Sequence, residues 1–325
     1  MTKLNNPNDK YVLLAKKLEE EGDYLTAEKM FLKAVTKNSE LLDTTDSDEI
    51  KIAYINDDTN YRAKLGAFYL RNQLYDRAEP FLLGAAEVKE TIVNNIDIPI
   101  VKRELALIYS DLADLYQYEE RFENSIKYNS LSSSILDKLI DMYNQVDDKD
   151  KLSSRFINLA MINNELSNIS LSEKYYLEAI SLQEEIVNER IDDKYKSKLA
   201  ITYIGLANLY ISNNNPKTAE RYLYKAIDVL SKIYKIYDNY VSGRALAICY
   251  SILANLSNDI NLVDKYLNYA VEVRSILLER FEFKDDAEDI IDIYERLSEI
   301  CKNNGKPIKA LSYRNKANKF RKMIS

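Results

Sequence analysis

Histidine and tryptophan are absent from the 325-residue chain, which has two cysteines, six glycines and five prolines. The missing histidine removes the commonest general base and the commonest metal ligand at once. No Walker phosphate loop, Gly-x-Gly-x-x-Gly or nucleophile elbow stands in for it. Adjacent carboxylates such as Glu184-Glu185 and Glu119-Glu120 fall in helical patterns and point in different directions, so they form no catalytic pair. The inventory argues against an enzyme and implies neither cofactor nor bound metal. Cys249 and Cys301 lie in separate helical patterns without metal-ligand or redox spacing. They are expected to be buried, reduced packing residues in a cytoplasmic protein.

So little glycine and proline leaves a strand-rich fold or a flexible linker without its punctuation, and an all-helical chain follows. The N-terminal segment Met1–Asp9 has no apolar run of the kind that marks a secretory signal. The longest apolar stretch, Ala245–Leu256, is interrupted by Ser251 and Asn255 and is too short to cross a bilayer. A net charge of −7 and a pI near 5.1 disfavour nucleic acid and anionic membranes as partners. What is present is material for a long core under a solvated surface: 46% hydrophobic residues, 30% charged, and 26 tyrosines.

That material recurs in a fixed pattern. Ala207 is followed by Tyr210, Pro216, Ala219, Leu223 and Ala226, spacing that suits two amphipathic helices joined by a short turn. Small residues let the two backbones approach and large ones fill the gaps between them. Equivalent small anchors stand at Ala15, Gly66, Ala113, Ala160, Ala207, Ala254 and Ser298, separated by 51, 47, 47, 47, 47 and 44 residues. The unit on Ala113 has a polar packing set, Ser125, Asn129 and Ser132. The unit on Ala254 reaches Leu267 and Ala270 three residues early, which predicts a turn shortened by three in Asn258–Leu262. One such hairpin cannot bury its own apolar face, so neighbouring hairpins must stack into a continuous core.

The chain resembles the tetratricopeptide repeat family, whose signature is a small residue, a tyrosine, then alanine, an aromatic and alanine, over about residues 9–321. Segments such as Tyr75-Asp-Arg-Ala-Glu-Pro-Phe-Leu82 and Leu206-Ala-Asn-Leu-Tyr210 look like the longer, kinesin light chain-type repeats. The departure is length, since the ordinary repeat has about 34 residues. The resemblance implies an all-α, right-handed α-solenoid of about seven helix-turn-helix hairpins with a period near 47 residues. Residues 1–8 would form a short tail, and 9–325 a single repeat domain closed by a basic capping helix.

In that family the first helix of each hairpin lines a concave groove in which a partner peptide or helix lies. Carried over by position, the residue after each anchor and the residue three further on face the groove. In the central units these include Asp114, Gln117, Asn164, Asn208, Asn255 and Asn258. Carboxamides both donate and accept, so a spaced series could grip an extended chain through its backbone. The expected function is a non-enzymatic interaction scaffold or adaptor whose partner is another protein or peptide. The alternatives are a peptide-responsive regulator whose solenoid changes curvature, and a structural subunit of a larger assembly. The sequence names neither the partner nor the oligomeric state.

Two further features carry competing readings. From Lys306 to Ser325 there are seven basic residues and no acidic one, which reads either as a solubilising cap or as a dock for an acidic partner or nucleic acid. The stretch Tyr222–Tyr240 carries five tyrosines on one expected helix and reads as interhelical packing.

Overall fold

The computed structural model describes residues 6–237 and 239–324. These residues form helices α1 (Asp9–Glu20), α2 (Tyr24–Thr44), α3 (Asp48–Arg71), α4 (Tyr75–Asn95), α5 (Pro99–Tyr118), α6 (Phe122–Tyr143) and α7 (Val146–Glu165). They continue as α8 (Ile169–Glu189), α9 (Asp193–Ser212), α10 (Pro216–Tyr237), α11 (Tyr240–Leu256), α12 (Ile260–Phe281), α13 (Lys284–Asn303) and α14 (Pro307–Ile324). No strand occurs among the described residues. Local chemistry sets many helix starts. Asp23 accepts a hydrogen bond from the Thr26 amide, and Asp192, Asn239 and Asp259 cap α9, α11 and α12 in the same manner. Prolines open α5, α10 and α14, where a missing N–H costs nothing. Ser47 stands at the N-cap of α3 but makes no side-chain cap bond.

The chain divides into two compact units, Met1–Ile162 and Asn163–Ser325, with the boundary inside α7. In the first unit α1 packs on α2, α3 on α4 and α5 on α6, and the hairpins meet through α2 with α3 and α4 with α5. In the second, α9 packs on α10, α11 on α12 and α13 on α14, joined by α8 with α9, α10 with α11 and α12 with α13. Of the expected tail over 1–8, residues 1–5 lie outside the described residues. Asn6 is buried, and its amide donates to Asn38 and Asp57, each at 2.8 Å.

The small anchors sit where the two helices of a hairpin cross. Ala15, Ala113, Ala160 and Ala207 are fully buried, as are Ala219 and Ala226 on the opposing helix α10. Gly66 shows why size matters, because a Cβ there would lie 2.8 Å from Leu82 Cγ. In the hairpin on Ala113 the polar set is buried but satisfied. Ser125 Oγ donates to the Ala113 carbonyl at 2.7 Å, and Ser132 Oγ to the Ala106 carbonyl at 2.8 Å. A hydroxyl replaces an alanine methyl there and returns a hydrogen bond across the hairpin.

The turns repeat as closely as the anchors. In six hairpins the middle turn residue has a positive φ: Gly22, Gln73, Glu120, Ser167, Asn214 and Gly305. The next amide then bonds back across the turn, as Arg121 N–H does to the Tyr116 carbonyl and Asn215 N–H to the Tyr210 carbonyl, both at 2.8 Å. This is the Schellman closure, which satisfies carbonyls at the helix end. The hairpin on Ala254 lacks it and corrects the sequence expectation. The residues between α11 and α12 are Ser257–Asp259, a turn as long as Asn213–Asn215 between α9 and α10. It is α11 that is short. It stops at Leu256, two residues beyond its anchor, whereas α9 runs to Ser212, five beyond Ala207.

The tyrosine-rich stretch is likewise two elements, since α10 ends at Tyr237 and Tyr240 opens α11. Tyr222 stacks on Tyr210 at 5.7 Å between centroids, and Tyr240 meets Phe281 edge-on at 5.1 Å, so both pack between helices. The Tyr237 side chain lies outside the described residues. Cys249 and Cys301 are buried and free, and burial pushes the Cys249 thiol up to about 12.

Candidate peptide-binding face

In the first unit the first helices of successive hairpins present one face. Along α3 the face carries Lys64, Ala67 and Arg71, along α5 Leu107, Asp111 and Asp114, and along α7 Lys151, Ser154 and Arg155. On α3 and α5 these positions fall three or four residues apart, on one side of the cylinder, and on α7 Ser154 and Arg155 lie three and four residues after Lys151. The opposite side of α5 is core, with Leu105, Leu112 and Leu115 buried.

Two cavities open on this face. One of about 270 Å³ lies over α1, α3 and α5, lined among others by Lys16, Lys64, Arg71 and Glu104, with Phe31 in its floor. The other, about 160 Å³, lies over α5, α6 and α7, lined among others by Ser110, Asp114, Leu136 and Arg155. Leu107 and Asp111 belong to both and form the ridge between them. Leu107 is 53% exposed, an apolar side chain presented to solvent at the centre of a charged face.

The charges of the face are mostly locked in place. Arg71 gives two hydrogen bonds to Glu19, each at 2.8 Å. Arg155 reaches from α7 to Asp114 at 2.8 Å, and Asn158 donates to the same carboxylate oxygen at 2.8 Å. Behind the larger cavity Lys89 is fully buried and donates to Asn56, Asn60 and Glu104 at 2.7–2.8 Å. Burial pulls its ammonium pKa down, and the Glu104 carboxylate opposes that pull. Asp111 is half-buried, and burial together with the Asp114 charge raises its carboxyl to about 7.

The six expected groove residues divide between the two units. Asp114 and Gln117 belong to the first unit, and Asn164, Asn208, Asn255 and Asn258 to the second. Asp114 lines the smaller cavity, with its carboxylate already held by Arg155 and Asn158. Asn208 is exposed on α9, and Gln117 and Asn164 are half-buried near the ends of α5 and α7. Asn255 is exposed on α11 and accepts a hydrogen bond from Arg296 of α13. Asn258 is on no helix, because α11 ends before it. The offset rule placed Lys16, Ala67 and Asp114 on the cavity walls but missed Leu107 and Asp111. Their spacing with Asp114 along one side of α5 was a readable signal.

Part of the charge of the basic C-terminal helix is paired with neighbouring helices at the surface. Lys309 pairs with Asp264 at 2.9 Å, Arg321 with Glu295, and Lys316 sits over the Tyr294 ring at 5.4 Å. Its outer side is not uniformly polar, since Ile308 is 86% and Leu311 58% exposed.

Residues 200–229, which run from α9 into α10, match the sequence model of the tetratricopeptide repeat family. No curated protein matches the sequence. Among solved structures the chain is similar to the apo form of RapI, with 12% identity, 98% of this chain and 99% of that one covered, and a TM-score of 0.57. It is also similar to aspartyl phosphate phosphatase F from Bacillus subtilis, with 14% identity, 96% and 69% coverage, and a TM-score of 0.56. The nuclear import adaptor Nro1 from S. pombe is a third, at 15% identity, 83% and 92% coverage, and a TM-score of 0.51. At such identities the likeness is one of fold. The fold and the recurring hairpins define an all-α helical repeat protein. Within that class, one hairpin, residues 200–229, carries the tetratricopeptide repeat match. Among the described residues no helix is long and apolar enough to cross a membrane, and no cluster of three or more metal-ligating side chains occurs.

Proposed function

We propose that the chain is a non-enzymatic interaction scaffold that holds a partner peptide or helix on the first-helix face of its hairpins. The observation that carries this reading is the pair of adjoining cavities over α1, α3, α5 and α7, with Leu107 exposed on the ridge between them. An apolar anchor point surrounded by fixed charges is the composition of a recognition surface. Nro1, of similar fold, is a nuclear import adaptor, which supports an adaptor role. A phosphatase also has a similar fold, so the non-enzymatic part rests on this chain's own residues, which include no histidine. Gln117, Asn164 and Asn208 have no side-chain partner among the described residues. We assign them as secondary backbone grips, with Asp114, Asn255 and Asn258 in supporting roles.

The test is a photo-crosslinking amino acid placed at Leu107, and separately at the exposed Val88 of α4, followed by irradiation in lysate of the native host. Discrete protein or peptide adducts at 107 and none at 88 are the expected result. Equal labelling at both positions, or none at 107, overturns the assignment.

A further inference from the structure

On the first-unit face one acidic side chain is left without a hydrogen bond or a close ion pair. Glu19 holds Arg71, Glu104 holds Lys89 and Asn60, and Asp114 holds Arg155 and Asn158. Asp111 accepts no hydrogen bond and makes no ion pair among the described residues. Arg71 on α3 and Arg155 on α7 favour its ionised form through space, but give their hydrogen bonds to Glu19 and Asp114. A half-buried carboxylate that accepts no hydrogen bond is held at a cost, which an incoming cation lowers.

The surroundings say what kind of cation fits. The smaller cavity beside Asp111, about 160 Å³, is well below the usual size of a cofactor site and suits a single side chain. Its walls combine Ala106, Leu107 and Leu136 with the carboxylates, which suits a group with an aliphatic stem and a charged head. We propose that Asp111 is the socket for a lysine or arginine side chain of a peptide lying across α3, α5 and α7, the stem of that side chain resting on Leu107. The assignment rests on the scaffold reading above and names what that face selects.

A pH dependence follows. The charged groups facing Asp111 are Lys16 from α1, Lys64 and Arg71 from α3, and Glu104 and Asp114 from its own helix. From α7 come Asp150, Lys151 and Arg155. The chain has no histidine to titrate near neutrality. A bound cation requires Asp111 ionised, so protons compete with the peptide as pH falls through about 7. Affinity for a basic peptide should fall about tenfold between pH 8 and pH 6.

The experiment presents the immobilised full chain with a positional-scanning library of acetylated, amidated hexapeptides at both pH values and sequences the retained pool. The expected result is at least about tenfold enrichment of Lys or Arg at one position at pH 8. That preference should shrink at pH 6, vanish in Asp111→Asn with the other positional preferences intact, and persist in Asp111→Glu. Asp111→Ser serves as a second neutral variant if the asparagine melts early. A basic preference that survives both neutral variants, or retained peptides with no basic preference in the wild type, overturns the socket and leaves the scaffold reading standing. No peptide retained by any protein overturns both.

Discussion

The hydroxyl of Tyr116 donates to Glu79 at 2.8 Å, and that bond joins one hairpin to the next rather than closing a hairpin on itself. Tyr116 stands three residues after the anchor Ala113 on α5, and Glu79 lies on the second helix of the preceding hairpin. Tyr69 with Glu28 and Tyr210 with Glu173 repeat the arrangement at 2.7 and 2.6 Å. Stacking between repeats is where arrays of this kind gain cooperativity. Tyr116→Phe is therefore expected to lower stability by about 1–2 kcal/mol. Urea unfolding checks it, and the helical content before unfolding should not change.

These tyrosines also set the alkaline limit of the fold. Burial, and then the hydrogen bond to a carboxylate, raise the phenol of Tyr69 to about 12, and Tyr116 and Tyr210 are raised by the same causes. From about pH 9 upward the unfolded chain loses phenol protons that the folded chain keeps, so stability is complete below about pH 9 and declines as pH rises through 10 toward 12. Thermal melts at pH 8, 10 and 11 should show a melting temperature that drops mostly in the last interval. The Tyr69→Phe/Tyr116→Phe/Tyr210→Phe variant should show a smaller drop.

Arg103 and Asp148 form a two-pronged pair between α5 and α7, with contacts of 2.7–3.0 Å and the carboxylate fully buried. Arg274 holds the buried Asp286 by a single prong between α12 and α13, at 2.8 Å. Truncating the arginine strands a charge in the interior. Arg103→Ala should cost about 3–5 kcal/mol, and adding Asp148→Asn should recover part of the loss. A double-mutant cycle by chemical denaturation measures both.

Gly66→Ala sets helix propensity against packing. In an open helix the change would gain about 1 kcal/mol, but here the new methyl meets Leu82 Cγ at 2.8 Å and Cδ2 at 2.9 Å. Overpacking should win by about 1–3 kcal/mol. Adding Leu82→Ala to make room should give back part of the deficit. Melts of the single and double variants decide it.

The hairpins were readable because close approach of two helices demands small residues at fixed offsets, and Ala207, Ala219 and Ala226 meet that demand without help from elsewhere. The face was only half readable. Lys16, Ala67 and Asp114 follow from their offset to the anchors, but the importance of Asp111 depends on where Arg71 and Arg155 send their guanidinium groups. Those choices are made by Glu19 and Asp114, one of them on another helix. The buried Lys89 was equally hidden. Lysine reads as a solvated residue until Asn56, Asn60 and Glu104 are seen to converge on it. The shortened α11 was misplaced because spacing between anchors counts residues without saying whether helix or turn lost them.

That short α11 separates two lengths that the repeat pattern would otherwise fuse. Ala254, Leu267 and Ala270 are as buried as their counterparts in the neighbouring hairpins, although nearly one helical turn is missing between them. Helix beyond the anchor therefore behaves as removable overhang, while the anchor and its opposing pair carry the joint. Segments of foreign sequence, such as an epitope or a fluorophore-binding turn, have a natural place for insertion there. Lengthening α9 or α11 past its anchor by whole turns should alter the rim of a hairpin and leave its joint untouched.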